Sequence, residues 1–287
     1  MTINLTEIGW TDENGILLGT WTNQSDVVSD DTAIIVAEDL IINTMNGDDV
    51  INGDVNDSDN QSEGIRIDNY SQLNTNNGND TITGTGFDGF FLKVSSSINT
   101  GLGNDTITGS GFAVGISSRG TINTGNGDDT IIASAEGPPD DLFGSTGISN
   151  YLGTINTGAG NDTILASGNS LAISNDSGTI NTGAGNDTID ALTGGFSDSN
   201  GSGQINLGQG DDLIRGFGDH RGNINGGRGY DQAELGFDYD ETSITFGSTN
   251  STSIDITFDS TTMSYTNIES FDFNGQTFSL ESLQAMA

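Results

Sequence analysis

Eight aspartates stand at one place in a pattern that this chain repeats. Each copy is a variant of Ile-Asn-Thr-Gly-x-Gly-Asn-Asp-Thr-Ile, and the copies begin at Ile42, Leu73, Ile98, Ile122, Ile155, Ile180, Ile205 and Ile224. Counting from the residue after the Asn, position six is always aspartate: Asp49, Asp80, Asp105, Asp129, Asp162, Asp187, Asp212 and Asp231. Position four is always glycine: Gly47, Gly78, Gly103, Gly127, Gly160, Gly185, Gly210 and Gly229. Position two is glycine except at Met45 and Asn76. Two glycines flanking one residue permit left-handed dihedrals and let one turn's backbone lie close against the next. Carbonyls and two carboxylates would then line a slot between successive turns. Several hard oxygen donors in a flexible cage suit Ca²⁺ better than Mg²⁺, which demands octahedral geometry and keeps its waters. Eight turns give seven slots, hence about seven calcium ions.

The turns need a scaffold that stacks them. Successive copies are 31, 25, 24, 33, 25, 25 and 19 residues apart. A recurrence near 25 residues is the signature of a solenoid, in which one supersecondary unit is stacked many times. The stretch 154–174 shows one coil clearly. It holds three short β-prone segments, and Ile155, Ile164 and Ile173, nine residues apart, should all point inward. Each coil is therefore expected to be three-sided, and eight coils at ~4.8 Å each make a stack roughly 38 Å long. Two insertions, Gly53–Asn60 and Glu136–Asp141, explain the long spacings, and both should bulge from the edge between the second and third segments. The 19-residue spacing has no apolar third segment, so that coil is expected to narrow to two sides.

The fold class expected is all-β: a parallel β-solenoid, of β-roll or β-helix type, with β caps at both ends. Residues 1–41 read as an N-terminal cap, with a hairpin signal at Asn14-Gly15. Residues 42–235 are the repeats. In 236–287 glycine thins out and alternation appears, as in Ser253-Ile254-Asp255-Ile256-Thr257-Phe258, with Asn274-Gly275 as a hairpin turn. These residues read as an antiparallel C-terminal cap.

Gly226-Gly227-Arg228-Gly229-Tyr230-Asp231-Gln232-Ala233-Glu234 fits the nonapeptide G-G-x-G-x-D-x-U-x. With the seven other turns, it makes the chain resemble the RTX family of haemolysin-type calcium-binding repeats. The resemblance implies a parallel β-roll, Ca²⁺ held between stacked turns by the eight aspartates, folding on contact with extracellular calcium, and leaderless type I secretion from a bacterium through a C-terminal signal. It places Ile51, Ile82, Ile107, Ile131, Ile164, Ile189 and Ile214 at the family's core position. This chain departs from the family by carrying one nonapeptide per coil and threonine as the first residue of six turns, so the calcium row should lie on one edge only.

Composition narrows the function. The net charge is −35 with only six Lys or Arg, which opposes binding to nucleic acid or an anionic membrane. There is no cysteine, so no disulfide framework or thiolate metal site. No apolar run approaches the ~18 residues of a membrane span. The first residues have neither a basic n-region nor an apolar h-region, leaving a cytoplasmic protein or leaderless export as the expectation. At calcium tenfold above Kd each slot gives about 1.4 kcal/mol, and seven give roughly 10, comparable to a domain's stability. The metal-free chain is therefore expected to be largely unfolded.

The function expected is calcium binding in an extracellular, non-enzymatic surface or matrix component, with cell-surface polysaccharide or matrix as the candidate partner. One alternative is a polysaccharide lyase or epimerase, for which Asp219-His220-Arg221 is the candidate triplet; as a surface loop, the same residues would do no chemistry. Another is ice binding through repeated threonines, which the variable residue between the glycines opposes. The Asn and Asp side chains of the turns could also simply cap backbone groups. The Asn of Ile-Asn-Thr should stack as an amide ladder.

Overall fold

The computed structural model describes residues 2–4, 27–30, 34–36, 38–39, 41–55, 62–138, 145–240, 244–250 and 252–286. Seven of the eight repeats wind through three walls, most of whose segments turn alternate apolar residues inward, and the last, from Ile224, contributes the first two walls. In the best-formed coil the three walls are Thr154–Ala159, Thr163–Gly168 and Leu171–Ser174. Every wall pairs in parallel with the same wall of the next coil. On the first wall Ile155 lies opposite Ile180 and Asn156 opposite Asn181, on the second Thr163 opposite Thr188, and on the third Ile173 opposite Phe196. Like residues therefore stack in columns.

Ile155, Ile164 and Ile173 are completely buried, as are Ile82, Ile107, Ile131 and Ile189. A fully buried aliphatic side chain contributes ~1.5–3 kcal/mol, so each coil adds several such terms to one continuous core. No coil could bury its inner face alone.

The stack starts before the first glycine turn. Val27–Asp30 pairs in parallel with Val50–Asp54, and Ile34–Val36 with Ile65–Ile67. These residues supply second and third walls ahead of Ile42. Thr2–Asn4 pairs in parallel with Val27–Asp30. The expected hairpin at Asn14-Gly15 lies outside the described residues, as do the tips of both insertions. Their flanks do emerge where expected, between the second and third walls.

The 19-residue coil does not narrow to two sides. Asp219–His220 forms a two-residue third wall that pairs in parallel with Phe196–Asp198. A polar pair can hold this place because His220 turns inward and is completely buried.

At the C-terminal end Thr261–Thr266 pairs in parallel with the last first-wall strand, and Ser270–Phe273 with the last second-wall strand. Outside them the chain becomes antiparallel, through Ile244–Asn250, Ser253–Phe258 and Gln276–Ser279. Asn274 and Gly275 take φ of 48° and 92° at the hairpin turn, the double left-handed geometry that Asn-Gly favours. A short helix, Leu280–Gln284, follows.

Candidate metal-binding column

The glycine turns join the first wall to the second. Position-two and position-four glycines both have positive φ, 110° at Gly158 and 138° at Gly160. A Cβ on Gly158 would fall 1.9 Å from the Gly125 carbonyl oxygen, and one on Gly160 2.0 Å from that of Gly127. At these two positions only glycine fits, whereas Met45 and Asn76 hold position two of the first two turns at φ of 76° and 73°.

That spacing places all eight position-six aspartates in one column. Each is buried, at 0–2% exposure. The Asp49 backbone N–H donates to Asp80 Oδ1 at 2.8 Å, and the pattern runs on through Asp105, Asp129, Asp162, Asp187 and Asp212 to Asp231. One carboxylate oxygen thus bonds to the preceding coil. The other, Oδ2, is buried without a hydrogen-bond partner in Asp80, Asp105, Asp129, Asp162, Asp187, Asp212 and Asp231.

Position five forms a second ladder of opposite direction. Asn161 Oδ1 accepts from the Asn186 N–H and Asn186 Oδ1 from the Asp211 N–H, each at 2.8 Å. Here the side chain serves the following coil, whereas the aspartate serves the preceding one. Both turn amides are therefore satisfied, and part of the reason for Asn-Asp at this place is backbone capping.

The position-one threonines bear on the bare oxygens. Thr124 and Thr157 Oγ1 donate to the Thr157 and Thr182 carbonyls of the following coils at 3.0 Å, and Thr182 to the Leu207 carbonyl at 2.7 Å. The same hydroxyls lower the pKa of their own coil's aspartate. A hydroxyl has one proton, and when it goes to the carbonyl, Oδ2 is left without a donor.

Burial raises these carboxyl groups against the opposing effect of their hydrogen bonds. Asp80, Asp187 and Asp231 rise to about 6, and Asp129 and Asp212 to about 7. Asp105 and Asp162 are raised for the same reason. Neighbouring carboxylates add to the effect, as Asp105 and Asp162 do at Asp129. A shift of one unit is ~1.4 kcal/mol. Ionising the column in the metal-free fold opposes folding. A folded column at neutral pH therefore needs either protons on the carboxyls or cations beside them.

The donors present suit a hard cation: carboxylate oxygens in register, backbone carbonyls nearby and no sulfur. Among the described residues no group of three or more His, Cys, Asp or Glu could hold a metal. An ion here would use one or two carboxylates and complete its shell with carbonyls and water. The carbonyls between the glycines are already engaged, since the Gly103 N–H donates to the Asn126 carbonyl and the Gly127 N–H to the Ala159 carbonyl.

The Ile-Asn-Thr asparagines form the expected amide ladder. Asn99 Nδ2 donates to Asn74 Oδ1 at 2.7 Å, Asn181 to Asn156 at 2.8 Å and Asn206 to Asn181 at 2.9 Å. Sequence reasoning missed a further buried column at the end of the third wall. There Asn150 Nδ2 donates to Asn175 Oδ1 at 2.8 Å, and Asp198 and His220 follow in register. Burial lowers the pKa of His220, and neither ring nitrogen has a hydrogen-bond partner. Asp219 and Arg221 are exposed and pair with each other at 3.2 Å, so the Asp219-His220-Arg221 triplet is not assembled. His220 is also not part of a surface loop.

No known protein family matches the chain, and no curated protein does. No helix among the described residues is long and apolar enough to cross a membrane.

Proposed function

We propose that this chain is a calcium-binding repeat protein of the RTX type, whose solenoid folds when Ca²⁺ enters the aspartate column. One observation carries the reading: seven buried carboxylates, aligned coil upon coil in a chain of charge −35, whose Oδ2 atoms have at most a threonine hydroxyl shared with a backbone carbonyl. Protons neutralise the whole column only below about pH 6, whereas calcium can do so at neutral pH. The same coupling suits a chain exported unfolded, by type I secretion, into a calcium-rich exterior. There the folded solenoid would serve as a structural or adhesive component, with polysaccharide or matrix as its partner. No catalytic role is assigned.

Ice binding is supported less well. Thr81, Thr106, Thr130, Thr163 and Thr188 do stack in register on the second wall. The adjacent outward column, however, passes from Thr83 and Thr108 to Ile132, Leu165, Asp190 and Arg215, which makes no uniform face.

The test is far-ultraviolet circular dichroism of chelated protein at about pH 7.5, titrated with Ca²⁺ and then with Mg²⁺. A cooperative gain of β structure with Ca²⁺, and little with Mg²⁺, supports the proposal. Full β structure in chelator, unchanged by calcium, removes it.

A further inference from the structure

We propose that the C-terminal cap supplies a ninth rung to the cation column: Glu269, which with Asp231 forms an eighth slot for a divalent cation. The inference rests on the calcium reading above and extends it to a residue outside the repeats, in a segment with no glycine turn.

Register identifies the residue. In each coil the position-seven N–H donates to the position-six carbonyl of the coil before, as Gln232 does to Asp212 at 2.8 Å. In the cap Ser270 takes that place: it lies opposite Gln232, and its N–H donates to the Asp231 carbonyl at 3.1 Å. Glu269, the residue before it, therefore stands at position six. Its side chain acts as the aspartates do, because Glu269 Oε2 accepts from the Asp231 N–H at 2.9 Å, just as Asp231 Oδ1 accepts from the Asp212 N–H at 3.0 Å. The amide ladder reaches the cap one residue out of register: Thr266 lies opposite Asn225, and Asn267 Nδ2 donates to Asn225 Oδ1 at 2.9 Å.

The space beside Glu269 contains a group that lacks a partner. Asp231 is completely buried, and its Oδ2 has no hydrogen bond. No threonine hydroxyl can serve it, because position one of this turn is Gly226, where a Cβ would come within 2.4 Å of that oxygen. Two acids thus meet at the cap, one buried and bare, the other half-buried and bound through a single oxygen to its neighbour's amide. The cap has only one left-handed residue here, Asn267, with φ of 53°, in place of the glycine pair. An ion in this slot would use both carboxylates, and the Asn267 carbonyl of the cap lies beside Gly226 together with Asp231 Oδ2.

Native mass spectrometry of the full chain, folded in calcium, tests the assignment. Glu269→Gln keeps an oxygen to accept the Asp231 N–H but loses the charge. The expected result is eight ions in the wild type and seven in E269Q, with unchanged circular dichroism. Equal counts in the two proteins would overturn the ninth rung while leaving the calcium reading intact. A wild type that holds no calcium would overturn both. Should E269Q not fold, the wild-type count decides: eight supports the slot, and seven or fewer overturns it.

Discussion

Asp187→Asn should change sign with calcium. Asp187 Oδ1 accepts from the Asp162 N–H, and its own N–H donates to Asp212 Oδ1, both at 2.8 Å. Asparagine retains both bonds and differs chiefly in having no charge. Burial holds the aspartate at about 6 instead of 3.8, so ionising it in the metal-free fold opposes folding by roughly 1.5–3 kcal/mol. The variant escapes that penalty and should be more stable than wild type by about 1.5 kcal/mol in chelator at about pH 5, where the metal-free fold persists. In calcium the order reverses. Asp187 borders two slots, and at calcium a hundredfold above Kd each slot gives about 2.7 kcal/mol. Losing both costs roughly 5 kcal/mol, which exceeds the gain. Urea unfolding followed by circular dichroism in the two buffers measures both effects. A column that only caps backbone amides predicts a stabilised or neutral variant in either buffer. That result, with no reversal, would refute the reasoning.

Two further outcomes follow from the same geometry. The column's folded pKa values lie above 3.8, at about 6 to 7, so the metal-free native state binds more protons than the unfolded chain between about pH 4 and 7. Stability must then fall as pH rises across that window. Chelated protein should keep its β structure near pH 4 and lose it on approaching neutrality, and calcium binding near pH 6 should release protons measurable in a pH-stat; β content that instead increases with pH in chelator would contradict this. Gly158→Ala forces a φ of 110° on alanine and drives its Cβ against the Gly125 carbonyl; thermal unfolding in calcium should show a loss of several kcal/mol, whereas Ala159→Gln, in the column of Gln209, should be nearly neutral.

The periodic parts of this fold were legible in the sequence because each rested on a backbone rule. Nine-residue spacing of Ile155, Ile164 and Ile173 gave three walls, the glycine pairs gave close turns, and Asn274-Gly275 gave a hairpin. The parts that escaped lack such a rule. Spacing puts the aspartates in register but does not say that one oxygen faces the preceding coil's amide while the other remains bare, since that is set by side-chain rotamer and burial. The 19-residue coil looked two-sided because Asp219–His220 has no apolar alternation, yet two residues suffice for a wall when His220 fills the interior. The coil before Ile42 went unseen because Val27–Asp30 and Ile34–Val36 come before the first glycine turn. Glu269 carried a faint signal, an acid two residues before buried Phe271, as Asp231 stands two before Ala233, but without glycines nothing in the sequence aligned it with the repeats.

The account's central claim is that cations occupy the aspartate column in the folded protein, and crystals grown in calcium test it most directly. Anomalous diffraction should show a line of peaks on the glycine-turn edge, one per slot, each within about 2.3–2.6 Å of an aspartate Oδ2. Protonated carboxyls donating to the threonine hydroxyls, with no peak between the coils at neutral pH, would contradict it.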